Sequence, residues 1–201
     1  MAKLEIKLTN LNKIREQVKK IGTTKVKVGV LAGATYPNGT AVAEVAKYLE
    51  YGWAQSVTLP QRGWLGYHGI HVKVGSVLTN PPRPFFQMTY KAQKFKWQTM
   101  GQNALKGLTS DPNLVFNKIT RALTMLGLTA QQDLQETIIN GGVGGNSFAL
   151  RSPMTLALYG NLMQEGGHKT DGTPNQTTTK KPLYKSGLLE SSISFEIVKD
   201  K

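Results

Sequence analysis

One long amphipathic segment constrains the fold of this chain more than any other feature. In residues 110–141, apolar side chains recur at the spacing of one helical face. Asp111 can cap the N terminus of a helix, Pro112 suits its first turn, and the glycines of GGVGG can end it. The segment therefore predicts a long helix with one buried face. Its apolar positions are Val115, Ile119, Ala122, Leu126, Ala130 and Ile138.

Shorter patterned segments flank this helix. Apolar spacing and capping residues predict further helices over residues 10–22, 40–52 and 85–105. The alternating valines of KVKVGVL predict a half-buried strand, and the apolar residues of SISFEIV predict another at the end of the chain. Residues 53–80 are interrupted by glycine and proline, and the alternating apolar residues of GIHVKVGSVL predict an inserted β-hairpin or extended arm there.

The order of these segments predicts the fold class. A chain of 201 residues fits one domain, and neither an internal repeat nor a second core is evident over 1–201. We expect an α/β (α+β) fold, in which a small mixed or antiparallel sheet packs against the long helix and shorter helices. Residues 53–80 form an inserted β-arm in this prediction, and residues 141–181 form a long flexible loop.

Charge is distributed unevenly along the chain. The net charge is +13, and residues 51–110 contain seven basic and no acidic side chains. A 60-residue basic region without a carboxylate indicates a nearby polyanion or an acidic partner surface; the alternative is a solvated basic face that maintains solubility. The residues expected to form this basic face, toward a channel or a partner, are Arg62, Lys73, Lys91, Lys94 and Lys96.

Sequence motifs for catalysis or metal binding are weak. The chain has no cysteine, which excludes thiol catalysis and Cys-ligated zinc. Lys185 and Ser186 are adjacent in a Ser-Gly turn, where a Ser-Lys dyad would not converge. His68 and His71 would point to opposite sides of a strand. We therefore expect no enzymatic activity, no cofactor and no metal, and the charged N terminus and lack of a long apolar run predict no membrane association.

The segment YKAQKFKW interleaves lysines with aromatic residues. Such a pattern can bind single-stranded nucleic acid by stacking. At helical spacing it also gives an apolar stripe flanked by lysines, and we favour this interpretation.

Several short motifs, taken in order, resemble one protein family. They are KVKVGVL followed by AVAEVAKYLEYGW, then NPPRPFFQMTY, then SPMTLALYG, and finally PLYKSGLLESSISFEIV. This order is similar to that of the neck or tail-completion proteins of long-tailed bacteriophages, also described as virion morphogenesis or minor tail proteins. The insertion at 53–80 is longer than in that family. The positions that carry the resemblance are Glu50, Tyr51 and Gly52; Pro82, Arg83, Pro84 and Phe85; Pro153 and Thr155; and Pro182, Leu183, Ser186, Gly187 and Leu189.

The resemblance implies a structural virion protein with no reaction of its own. Such a protein would form a ring, expected to be a hexamer, at the head–tail junction, complete the tail end and help to join it to the head. Its partners would be copies of itself, tail terminator or tail tube proteins, head connector proteins and the genomic DNA in the channel. It would be located in the virion after assembly in the host cytoplasm. The alternative is a basic nucleic-acid-binding protein that uses residues 51–110.

The resemblance also suggests roles for particular residues. The PLYKSGLL segment would be a turn that returns the chain as the last strand of the core sheet, beside KVKVGVL. Prolines restrict the approach of PPRPFF, so that its phenylalanines can anchor in the core or at an interface, while its arginine holds a carboxylate or a backbone carbonyl. The expected interface or anchor residues are Arg83, Phe85, Phe86 and Leu189.

Overall fold

A computed structural model describes the main part of the chain. The described residues are 15, 16, 19, 24–31, 33–106, 112–152, 154, 155, 183 and 187–199. Their helices are α1 Val42–Tyr51, α2 Leu59–Tyr67, α3 Phe85–Leu105, α4 Pro112–Asn140 and α5 Leu188–Ser191. Their strands are β1 Thr24–Val30, β2 Trp53–Ser56, β3 Val77–Asn80, β4 Gly142–Val143, β5 Asn146–Ser147 and β6 Ile193–Lys199. The fold is therefore α+β, with small antiparallel sheets and one long helix, as the sequence predicts.

The last strand of the chain pairs with the first. β1 and β6 are antiparallel, and the register places Val28 opposite Phe195 and Val30 opposite Ile193. One face of this two-stranded sheet is thus apolar and packs against α4. The prediction that the terminal segment closes the sheet beside KVKVGVL is confirmed. On the opposite face Lys27 and Glu196 form an exposed ion pair at 3.8 Å.

The long helix α4 organises the core. Its 29 residues span roughly 43 Å at 1.5 Å per residue. At Gly127, near its middle, a Cβ atom would lie 2.3 Å from the ring of Phe195, so glycine allows β6 to approach the helix. The core cluster combines buried side chains from α1, α3, α4, α5 and β6, and it consists of Val42, Ala46, Phe85, Leu134, Ile138, Phe148, Leu183, Leu189 and Ile193.

The inserted segment 53–80 differs from the prediction in its interior. Its ends, β2 and β3, pair in register from Trp53 opposite Asn80 to Ser56 opposite Val77. Between them lies α2, a helix with a capping box formed by Thr58 and Gln61. The expected strand at residues 70–74 is absent, because α2 and the turns after it occupy the space between the two short strands. The segment is a two-stranded stem that carries a helix, and not a simple β-arm.

Residues 141–181 are also more structured at their start than predicted. β4 and β5 form a tight hairpin directly after α4, and Phe148 then enters the core. Of residues 156–186, only Leu183 is described. The predictions for the rest of this loop and for Ser186 therefore lie outside the described residues. The predicted helix at 10–22 is described only at Arg15, Glu16 and Lys19, which are helical and exposed.

Candidate functional site

Arg83 of the PPRPFF motif is a buried structural residue. Its side chain is 3 % exposed. Its guanidinium donates to the carbonyls of Ala149 and Leu150 at 2.9 and 3.0 Å and to Asn80 Oδ1 at 2.7 Å. The expectation that Arg83 holds a carboxylate or a carbonyl is met by the two carbonyls. Arg83 thereby ties the start of α3 to the segment that follows the β4–β5 hairpin.

The other three expected anchor residues divide between the core and its edge. Phe85 is completely buried and Leu189 is 4 % exposed, and both belong to the core cluster. Phe86 is half-buried, and its ring centroid lies 4.5 Å from that of Phe85. Phe85 and Leu189 therefore stabilise the subunit itself, whereas Phe86 reaches the wall of an open groove.

Glu50 and Gly52 close the base of the insert. The Glu50 carboxylate accepts hydrogen bonds from the backbone N–H groups of Phe86 and Gln87 at 3.0 and 3.1 Å, at the N terminus of α3. Gly52 has φ 72°, and a Cβ atom there would lie 2.7 Å from the Asn80 carbonyl. The insert leaves the core after Gly52 and returns to it at Asn80, between these contacts. Glu50 therefore joins the end of α1 to the start of α3.

Burial determines the direction in which the pKa of Glu50 is shifted. The carboxyl is 5 % exposed, and this burial raises its pKa, while the two backbone hydrogen bonds partly oppose the increase. Sequence reasoning assigned Glu50 no role. The sequence feature that indicates the burial of Glu50 is its spacing, because Val42, Ala46 and Glu50 recur every four residues and all three are buried.

The predicted basic residues lie on two segments of the chain, the insert and α3. Arg62 and Lys73 are exposed in the insert, while Lys91 and Lys94 lie on α3. Lys96 is a correction to the prediction: its Nζ lies 2.7 Å from Oδ1 of the buried Asp133, whose Oδ2 also accepts from the Trp97 indole at 2.7 Å. A buried carboxylate requires such partners, so Lys96 holds α3 against α4.

An open apolar groove of about 300 Å³ lies between β1, α3 and α4. Tyr90 and Trp97 line it, which agrees with the favoured interpretation of YKAQKFKW as an apolar stripe, whereas Phe95 is 67 % exposed. The remaining lining residues are Val26, Val28, Phe86, Leu126, Ala130 and Leu134.

A second groove of about 530 Å³ lies on the insert. Arg62 and His71 are its ionisable side chains, and neither forms a hydrogen bond or ion pair with the described residues. The other histidine of this region, His68, is 8 % exposed and packs edge-on against Trp64 at 4.6 Å between ring centroids. The histidines therefore lie in different surroundings. The groove is lined by Leu59, Arg62, Gly63 and Gly66 of α2 and by Ile70, His71 and Val72 after it.

The described residues contain no group of three or more His, Cys, Asp or Glu side chains placed to hold a metal ion. Within the same part of the chain, none of the helices has the length and apolar character needed to cross a bilayer. Comparison of the chain with protein-family models, with curated proteins and with solved structures finds no match.

Proposed function

We propose that this protein is a structural subunit of a tailed-phage virion, which assembles with copies of itself into a ring at the head–tail junction. There it completes the tail end and contacts the tail and head-connector proteins. The proposal combines the resemblance of the motifs with one structural observation, the exposure of large apolar side chains on the insert. Those side chains are Leu59, Trp64, Tyr67 and Val77, at 66, 50, 78 and 62 % exposure.

This observation supports assembly because the insert has little packing against the described core elements. β2 and β3 pair with each other, and α2 makes no extensive contact with the described core helices or strands. Large apolar side chains that are exposed together on one segment are typical of an interaction site. A segment built in this way suits contact with a neighbouring subunit better than stabilisation of its own chain.

Assembly is tested by measuring particle mass. The purified protein should form closed rings in light scattering and negative-stain imaging, and antibodies raised against it should label the head–tail junction of the phage that encodes it. Persistent monomers over a wide concentration range, together with unlabelled particles, would contradict the proposal.

A deletion variant assigns the assembly to the insert. Because Ser56 pairs with Val77, residues 57–76 can be replaced by an Asn-Gly turn that closes the hairpin. This variant should keep a folded core by circular dichroism and lose the ring. Phe95→Gln is the matched control, since it removes an equally exposed aromatic side chain from α3. This variant should still assemble into the oligomeric ring.

A further inference from the structure

Two glycines in α2 have no structural explanation within the described residues. Gly63 and Gly66 lie in a nine-residue helix, where each costs about 1 kcal/mol relative to alanine. A Cβ atom at either position would meet no atom within 4 Å, unlike the Cβ atom that would collide with Phe195 at Gly127. Both glycines line the insert groove. Their backbone is therefore left open to a ligand that approaches closely.

The charge of the groove selects an anion. Arg62 carries a permanent positive charge, and His71 adds two ring nitrogens that can donate or accept. Neither side chain is engaged by a described residue, and residues 51–110 contain no carboxylate that could repel an anion. A guanidinium and an imidazole beside accessible backbone are suitable donors for the oxygens of a phosphate group.

Exposed aromatic rings accompany these donors. Tyr67 follows Gly63 by one helical turn on the same helix, and it is 78 % exposed. Trp64, on the neighbouring side of α2, is 50 % exposed. An acidic peptide or a free phosphate does not require stacking surfaces next to its charge site. The combination of a basic groove and flanking rings is typical of proteins that bind single-stranded nucleic acid.

We propose that the α2 groove binds single-stranded nucleic acid, with a backbone phosphate at Arg62 and His71 and a base stacked on Tyr67. This activity goes beyond the proposed assembly function, and both use the exposed Tyr67, so that subunit contact and base stacking would compete for this side chain. Ring formation is measured by mass in the absence of nucleic acid, so either proposal can fail while the other holds.

The binding test uses fluorescence anisotropy with a labelled oligothymidylate of about 15 nucleotides, titrated with the full chain. Arg62→Gln should weaken binding and reduce the slope of log affinity against log salt by about 0.7, the contribution of one phosphate contact on a single strand. Tyr67→Leu should weaken binding by roughly 5- to 150-fold, the effect of losing one stacked base, and leave the salt slope unchanged.

Matched controls separate this site from general charge and from general exposure of aromatic rings. Lys47→Gln removes an exposed charge from α1, and Tyr51→Leu removes an exposed ring from the end of α1. Both should bind like the wild type. The assignment is overturned if these controls lose as much affinity as the groove variants. It is also overturned if a duplex or polyglutamate of equal charge binds as tightly as the oligothymidylate, or if the oligothymidylate does not bind at low salt.

Discussion

The buried core cluster and the insert place their aromatic side chains in opposite ways. In the core, Phe85 is fully buried and Phe148 is 4 % exposed, and both pack in one cluster with α4. In the insert, Trp64 and Tyr67 remain exposed, although α2 has a well-formed capping box. The same chain thus contains one region in which large rings stabilise the fold and another in which they are presented to solvent. The assembly proposal therefore places the contacts with other molecules on the insert and not on the buried cluster.

The boundary between the two regions is narrow. The Arg83 backbone N–H donates to the Leu49 carbonyl at 2.7 Å, and Glu50 bonds the first N–H groups of α3. These contacts fix the ends of α1 and α3, between which the insert leaves the core. We therefore expect changes on the core side to alter stability and changes on the insert side to alter binding.

Phe85→Ala tests the core side with the largest expected effect. Truncating a fully buried phenylalanine leaves a cavity, so the free energy of unfolding should fall by about 3–5 kcal/mol in urea titration. The control is Phe95→Ala on the same helix, where the ring is 67 % exposed and the change should stay within about 0.5 kcal/mol. Equal losses in the two variants would remove the distinction between buried and exposed rings.

Arg83→Met should have the next largest effect. The change leaves the carbonyls of Ala149 and Leu150 without their donor, and the free energy of unfolding should fall by about 1–3 kcal/mol. Arg62→Met removes a guanidinium from the insert groove and should change stability by less than about 0.5 kcal/mol. Thermal melting of the two variants gives the comparison directly. A larger loss in Arg62→Met would show that the insert groove contributes to folding.

Periodic patterns predicted much of the core. The α4 spacing, the valines of β1 and the apolar residues of β6 each specified the face that packs into the fold, although Ile197 is 36 % exposed, and the strands pair as expected. The interior of the insert was predicted wrongly, because Ile70, Val72 and Val74 alternate like a strand but lie in irregular chain and a turn after α2. There, local capping by Thr58 and Gln61 decides the structure, and periodicity does not.

The candidate sites were less predictable because they depend on partners distant in sequence. Lys96 was assigned to a basic face, since Asp133 lies 37 positions away and the contact of α3 with α4 brings them together. Glu50 likewise acquires its role from Phe86 and Gln87. Arg62 was assigned to the basic face and is exposed, but its neighbour in the groove, His71, was considered only as a metal ligand and set aside.

Alanine substitution of glycine should have opposite signs in the two regions. Gly127→Ala places a Cβ atom against the Phe195 ring, and the resulting overpacking, about 1–3 kcal/mol, exceeds the gain of up to about 1 kcal/mol in helix propensity. Gly63→Ala meets no neighbouring atom and should stabilise α2 by about 0.5–1 kcal/mol. Urea titration of each variant against the wild type measures both signs. Destabilisation by Gly63→Ala would indicate an unrecognised contact of α2 within the fold.

The smallest expected effect is a pH dependence of the free energy of unfolding, which comes from Glu50 at the base of the insert. Because burial raises its pKa, the folded protein holds this proton more tightly than the unfolded chain does. The corresponding stability is present below the ordinary pKa of glutamate, about 4.3, and is lost as the pH rises through the higher folded pKa. Glu50→Gln does not titrate, and every other carboxyl is common to both proteins and cancels in the comparison. The wild type should therefore become less stable relative to Glu50→Gln as the pH rises from about 4 into the weakly acidic range.

Urea titrations of both proteins across this pH range measure the difference. A wild type that gains stability over Glu50→Gln with rising pH would mean that the N–H groups of Phe86 and Gln87 outweigh burial and that the folded pKa is lowered. The variant lacking residues 57–76 should show the same pH dependence as the full chain, because Glu50 and its two donors all belong to the core side of the boundary. If the deletion variant lost this pH dependence, the insert would instead be shown to shield the Glu50 carboxyl. The core and the insert would then be coupled through Glu50.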